Sequence, residues 1–285
     1  MADPFYVGDG LTVFNADLLD ALPLLEPGSI DAVVTSPPYA MQRKSTYGGV
    51  PEKDYPDWTV AWMDALKPAL KDDGSVIINI SPHKVNGGLS DYVLRTRLAL
   101  REGGWTEIDE LIWDKPNPMP TGSPRRPRRS WESLLWFGKD GKAWSDAKAN
   151  GTQSKWRTNV QSASAHQKGW SHSAVGGLST PEKARCRNVA TVVTNEHVPD
   201  AYKHPAKFPV ALAEWCAKLI CPPSGTLLDP FAGSGSTAIA ALRNGLQSVA
   251  IEREPEYVQM IVDRYSAELA KVDNTLELGL VNAES

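Results

Sequence analysis

Two rhythms of apolar residues trade places along most of this chain: short continuous runs of strand length, and longer stretches with helical spacing. Leu11 to Phe14 and Ile30 to Val34 are runs of the first kind, with a brief helical stretch from Asp17 to Leu25 between them and Pro23 and Pro27 as punctuation. A helix is expected from about Trp58 to Leu70. Gly74 then opens Ser75-Val-Ile-Ile-Asn-Ile80, whose β-branched residues mark a strand ending at Ser81-Pro82. A further helix is expected from Ser90 to about Arg101. Strands and helices alternating at this spacing predict an α/β fold with a mostly parallel sheet covered on both faces.

From Ile108 the pattern changes. Glu110 to Asp114 and Ser133 to Phe137 are expected to pair antiparallel at one edge of the sheet, across a loop rich in proline and arginine. Residues from about 140 to 200 are rich in Ser, Gly, Lys and Asn, with isolated Trp144, Trp156 and Trp170 and little periodicity, and a helix-poor insertion is expected there. Alternation resumes with a helix from Phe208 to about Ile220, strand Thr226 to Leu228, helix Ser236 to Arg243, strand Ser248 to Ile251 and helix Pro255 to about Lys271. The expected organisation is one α/β domain formed by 1–139 and 200–273, interrupted by an insertion at 140–199 and followed by a tail, 274–285, ordered only against a partner.

At 285 residues and 31.1 kDa the chain can bury one large core with a modest insertion. No apolar run reaches bilayer length and the first residues lack a signal-peptide pattern, so a cytoplasmic protein is expected. Cys186, Cys216 and Cys221 are scattered without paired metal-ligand spacing, which argues for reduced thiols and no metal site. Charge changes the picture more. Between Lys115 and Arg187 fourteen Lys and Arg face four acids, a balance of +10 inside a chain of net −4, leaving −14 elsewhere. Such asymmetry is the footprint expected of a surface that neutralises phosphates, although a merely soluble basic insertion would look similar.

Two motifs carry candidate chemistry, and each follows an apolar strand, so both belong at strand carboxyl ends, where open α/β sheets bind ligands. In Thr35-Ser-Pro-Pro-Tyr39, Ser36 Oγ and the Pro37 carbonyl can accept the two hydrogens of a flat amine. Pro37 and Pro38 stiffen the loop, and Tyr39 offers a stacking face. In Asp229-Pro-Phe-Ala-Gly-Ser-Gly-Ser-Thr237, glycines let backbone amides approach a ligand at a helix N-terminus. Glu252 ends the next strand, near the offset at which an acid accepts bonds from ribose hydroxyls. Phe-x-Gly-x-Gly departs from the three-glycine dinucleotide pattern and suits a methyl donor better. Cytosine C5 chemistry needs a cysteine nucleophile, and neither motif contains one.

These motifs, in this order, resemble the DNA amino-methyltransferases of the β arrangement, in which the catalytic motif comes first, target recognition next and the cofactor motif last. The resemblance implies a Rossmann-like methyltransferase fold with circularly permuted motif order and a target-recognition region at 140–199. It also implies methyl transfer from S-adenosylmethionine to an exocyclic amine of a base flipped out of double-stranded DNA. It assigns Ser36, Pro37, Pro38 and Tyr39 to catalysis. Around the methionine part of the cofactor it places Asp229, Phe231, Gly233 and Gly235, with Glu252 on the ribose, Asp17 near the adenine and Ser236 as a further cofactor residue. His204 and Phe208, in His204-Pro-Ala-Lys-Phe-Pro209, close the methionine end, although His204 can equally be a loop histidine. Lys115, Arg125, Arg126, Arg128, Arg129, Lys155, Arg157 and Lys168 form the expected DNA surface, by phosphate contact or by reading guanine. Trp131, Trp144, Trp156 and Trp170 either stack on bases or pack locally.

Serine before Pro-Pro-Tyr leans to cytosine N4 in this family, whereas Lys115-Pro-Asn-Pro-Met-Pro120 and the arginine loop look more like adenine methylators; the balance favours adenine N6 slightly. The rivals are methylation of RNA or of a protein amide, and a silent DNA-binding protein that keeps the fold. Enzymes of this kind serve restriction-modification, with or without an endonuclease partner. A homodimer is also expected, with Trp62 and Leu66 of the Trp58 to Leu70 helix as candidate contacts, since one small recognition region is a thin supply of DNA-binding surface.

Overall fold

The computed structural model describes residues 3–41, 49–118, 124–152, 183–194 and 208–283, the last eleven of these by backbone only. Its strands are β1 (Tyr6–Gly8), β2 (Leu11–Asn15), β3 (Ile30–Thr35), β4 (Leu70–Ile80), β5 (Lys84–Val85), β6 (Gly88–Leu89), β7 (Thr106–Asp114), β8 (Trp131–Gly138), β9 (Val189–Thr191), β10 (Thr226–Asp229) and β11 (Gln247–Glu252). Its helices are α1 (Leu18–Ala21), which runs into a 3-10 turn over Leu22–Leu24, α2 (Tyr55–Leu66), α3 (Tyr92–Glu102), α4 (Val210–Ile220), α5 (Ser236–Arg243) and α6 (Pro255–Ala283).

Among the described residues, nine strands form one sheet in the order β1-β2-β11-β10-β3-β4-β8-β7-β9. The five central strands, β2 to β4 in that order, are parallel; β8 is antiparallel to β4 and to β7, as the sequence predicted for the hairpin, and β1 is antiparallel to β2. The chain leaves β3 toward β4 on one side, whereas β10 leads to β11 on the other. The gap between the carboxyl ends of β3 and β10 is therefore a topological switch point, where such sheets bind ligands. Because β8 runs antiparallel to β4, the turn joining β7 to β8 lies at this same edge.

Local chemistry accounts for the differences from expectation. Pro56 is accommodated in the first turn of α2 and Pro68 ends it early, so the helix spans Tyr55–Leu66 and Leu70 already belongs to β4. The pairing of β3 with β4 shifts between Ile30 and Ala32, which lets the strand run on through Gly74. Val189–Thr191, inside the expected insertion, adds a ninth strand parallel to β7. The expected tail is helical instead: no proline interrupts residues 256–283, and α6 continues to Ala283. Short β1 and the β5–β6 hairpin carried too few residues to show a period.

The helix α2 packs on its own sheet. Trp62 and Leu66, the candidate dimer contacts, are 1% and 0% exposed inside the main core, beside Met63, Tyr55 and Tyr92. Both are core residues and not contacts with a second molecule. Trp62→Ala is expected to cost roughly 3–5 kcal/mol, because a large buried ring leaves a cavity. Urea unfolding reads that loss, and sedimentation of the same variant should show no change of assembly state.

Candidate active site

The two motif loops meet. Thr35, the last residue of β3, donates from Oγ1 to Asp229 Oδ1 at 2.6 Å, bridging the ends of β3 and β10. Thr237 Oγ1 donates to the other oxygen at 2.7 Å, and the Phe231 N–H donates to Oδ1 at 3.1 Å. Asp229 is thus a buried strut, its carboxylate shared among three donors. Burial raises its pKa above the usual carboxylate value, with the donors opposing that shift. For this group alone, stability is fullest at low pH and declines as pH rises through the raised folded value.

Past Asp229 the chain turns through Gly233 and Gly235, both in the left-handed region at φ 51° and 79°. A side chain at Gly235 would also meet Ile261 at 3.2 Å. The Gly233 N–H donates to Glu252 Oε2 at 2.8 Å and the Glu254 N–H to Oε1 at 2.9 Å, so Glu252 braces the glycine loop from the end of β11. Burial raises the Glu252 pKa, against the pull of these two backbone donors. From α6, Arg264 Nη1 donates to the Ser234 carbonyl at 3.0 Å and lies 3.3 Å from both Ser234 Oγ and Ser236 Oγ. On the other flank Phe231 packs against Trp58 and Trp62 of α2, each with ring centroids 5.5 Å away.

Ser36, Phe208, Asp229, Phe231, Ala232, Gly233, Ser234 and Ser236 line one pocket. Catalytic and cofactor candidates from opposite ends of the chain therefore face the same space. Ser36 Oγ lies 3.4 Å from Asn79 Oδ1, within reach of a weak donation to that amide oxygen. Tyr39 Oη donates to Glu132 Oε2 at 2.7 Å and lies 3.0 Å from Asn79 Oδ1. Burial first, and Glu132 second, hold the phenol pKa well above its usual value, so it is a donor at neutral pH. Pro37 is buried and Pro38 half-buried beneath it. Asp17 caps α1, accepting from the Leu19 N–H at 3.0 Å, and the neighbouring Ala16 N–H donates to the Glu252 carbonyl, which brings Asp17 to the same edge.

Among the expected DNA residues, Arg125, Arg126, Arg128 and Arg129 are exposed on the β7–β8 loop, and Trp131 beside them is 47% exposed. Arg126 Nη2 donates to the Gly87 carbonyl at 2.6 Å, leaning the loop on the β5–β6 hairpin. Lys115 differs from expectation. It is paired with Glu132, and its ammonium lies 4.3 Å from the Trp113 ring centre, under the loop rather than on its outer face. Trp144 is half-buried. His204, Lys155, Arg157, Lys168, Trp156 and Trp170 lie outside the described residues.

Sequence reasoning missed Asn79, Glu132, Thr35, Thr237 and Arg264. Two of them carried a signal: Asn79 is a lone amide near the end of an apolar strand, and Glu132 is the one acid close after four arginines. Cys216 and Cys221 are buried, and burial pushes the Cys221 thiol up to about 12, which leaves it un-ionised and far from nucleophilic. Thr237→Val keeps the shape of α5 but removes a donor from the buried Asp229 carboxylate. A loss of roughly 1–3 kcal/mol is expected in thermal or urea unfolding.

Comparison with known proteins agrees with this geometry. The DNA methylase family model matches residues 30–263. The type II methyltransferase M.XycI of Xanthomonas campestris pv. cyanopsidis is 30% identical over 299 residues, covering 92% of this chain and 90% of that one. The type II methyltransferase M.PvuII of Proteus hauseri is 25% identical over 287 residues, covering 92% and 85%. Among solved structures, the PvuII DNA methyltransferase, described as cytosine-N4-specific, superposes with a TM-score of 0.70 at 23% identity over 94% of this chain and 95% of that one. The SAM complex of M1.HpyAVI gives 0.59 at 22% identity over 89% and 98%. With its two motif loops joined at the switch point of a mostly parallel sheet, the chain belongs to the S-adenosylmethionine-dependent DNA amino-methyltransferases.

Proposed function

We propose that this protein methylates N4 of cytosine at a short specific sequence in duplex DNA. The observation that carries the reading is the single pocket shared by Ser36 and the glycine loop, which sets an amine acceptor against the expected seat of the methyl donor. The choice of cytosine departs from the slight lean to adenine in the sequence reading. It is favoured by Ser36 in place of an aspartate, and by likeness across nearly the whole chain to a methyltransferase described as cytosine-N4-specific.

The residues have complementary tasks. Ser36 Oγ, its own proton within reach of Asn79, accepts one amine hydrogen, and the Pro37 carbonyl accepts the other. This draws the nitrogen lone pair out of the ring and toward the sulfonium methyl. Tyr39 stacks on the flipped base. The nitrogen–carbon bond forms as the sulfur–carbon bond breaks, leaving S-adenosylhomocysteine, and the methylated nitrogen then loses its extra proton to water. Glu252 holds the ribose, Asp17 approaches the adenine, and Phe231, Gly233, Gly235, Ser236 and Phe208 enclose the methionine end, with Asp229 acting through the loop it braces. The exposed arginines from Arg125 to Arg129 supply the DNA surface, and Lys155, Arg157 and Lys168 extend it. A homodimer remains part of this reading through surfaces other than Trp62 and Leu66.

Nucleoside mass spectrometry of DNA from cells expressing the protein is expected to show N4-methylcytosine; N6-methyladenine instead would overturn the base assignment, and neither would overturn the activity. Ser36→Ala should abolish most transfer with unchanged cofactor affinity, whereas Gly235→Ala should weaken cofactor binding about tenfold, because the left-handed conformation and Ile261 both resist a side chain. Calorimetry and tritium transfer to duplex DNA separate the two effects.

Charge reversal at Arg126 and Arg129 is expected to weaken DNA binding and flatten its salt dependence by roughly 0.9 in log–log slope per lost phosphate contact. Unchanged slope with an altered methylation site would move these arginines from backbone contact to base reading.

A further inference from the structure

Tyr39 is tied to a residue outside both motifs. Glu132 is the second residue of β8, and its partner Lys115 follows directly on β7, so the pair stands at the foot of the arginine loop. The Lys115 N–H closes that foot by donating to the Ser130 carbonyl at 2.6 Å. Glu132 uses its two oxygens differently: Oε2 accepts from Tyr39 Oη, and Oε1 meets the Lys115 ammonium. Both side chains are withdrawn from water, at 14% and 16% exposure. Holding a carboxylate and an ammonium there costs desolvation, which the pair recovers only with further partners. Those partners are the Tyr39 phenol on one side and the Trp113 ring on the other.

We propose that Glu132 is a positioning residue for the stacking ring of Tyr39, and that the Lys115–Glu132 pair couples this ring to the arginine loop. The inference rests on the DNA-methylating reading above. A ring held at its hydroxyl by a charged acceptor keeps one orientation, so stacking a flipped base on it loses little further freedom. The same bond means that a shift of the loop foot, on seating against DNA, reaches the base pocket through a single carboxylate. The loop that grips the duplex and the face that receives the base are then set together.

Tyr39→Phe keeps the ring and removes only the hydroxyl, so it tests the bond without disturbing the fold. It is expected to lower kcat about tenfold with the KM for S-adenosylmethionine unchanged, a loss typical of misplacement rather than of lost binding. Glu132→Ala should do the same, and Glu132→Gln, which still offers an acceptor, should recover part of the loss. The double variant Tyr39→Phe with Glu132→Ala should be no slower than Tyr39→Phe alone, since the phenol's loss already removes the bond that Glu132→Ala breaks. Pyrrolo-cytosine at the target position, located first by methylation-aware sequencing, gives a second readout: a dominant short fluorescence lifetime in the wild type and a spread of lifetimes in both single variants. An unchanged kcat and lifetime in Tyr39→Phe overturns the proposal, as does an effect of Glu132→Ala that is equally large with and without the phenol. Should Glu132→Ala fail to fold, Tyr39→Phe and Glu132→Gln still decide. If the wild-type protein transfers no methyl group to duplex DNA, the underlying functional reading fails instead.

Discussion

The Asp229 carboxylate is the fixed point of this molecule. It lies at the switch point of the sheet, 5% exposed, and takes donors from three directions: the end of β3, the first turn of α5 and the backbone of its own loop. A carboxylate so placed is costly unless each contact is made, so the position of any one partner constrains the others. Thr35 is next to Ser36, and Phe231 begins the glycine loop. The bond between Thr35 and Asp229 therefore sets the distance between Ser36 and the loop opposite it. Two motifs separated by nearly two hundred residues of chain become one site through a 2.6 Å contact.

That site is held rigid from several sides. Trp58 and Trp62 press on Phe231, Arg264 draws in Ser234 and Ser236, and Glu252 accepts from Gly233. Each partner comes from a different element: α2, α6 and β11. A pocket for a charged donor gains from such redundancy, because hydrogen-bonding groups already in place need no reorganisation when the ligand arrives or reacts. The aromatic face of α2 explains itself in these terms. Its apolar side is spent on supporting the loop and the core, which leaves nothing of Trp62 or Leu66 for a partner.

How much of this was legible in the sequence follows from the physics of each element. Strands buried on both faces announce themselves as apolar runs, and all those of the parallel centre were readable, as was the antiparallel hairpin beyond them. The boundaries of α2 and β4 were displaced because Pro56 and Pro68 act through backbone geometry that apolar periodicity does not register. Ser36, Tyr39, Gly233, Gly235 and Glu252 stood out because their chemistry depends on local order along the chain. Asn79, Glu132 and Arg264 did not, since each matters only through a neighbour supplied by another element. Burial of Trp62 was equally invisible, because an apolar helix face looks the same whether its own sheet or a second molecule covers it.

The antiparallel turn of β8 against β4 has the largest functional consequence. Had β8 paired with β4 in parallel, the chain leaving β7 would have had to cross back to the far side of the sheet before entering it. Antiparallel pairing instead sends the chain up β7 to the active edge, through the arginines, and straight back down β8. The β8 foot of the loop then stands beside Asn79 and Tyr39, with Ser133 paired to Ile80, one residue past Asn79, and Lys115 of the β7 foot bound to Glu132. An exposed, positively charged loop is thereby anchored on two strands of the sheet, and its β8 end lies within one hydrogen bond of Tyr39. A recognition surface built on a separate flexible insertion alone would have to transmit its contacts through the chain connecting it. Here the sheet itself supplies the connection, and the Lys115–Glu132 pair, bonded in turn to Tyr39, is the contact through which the proposed coupling would pass.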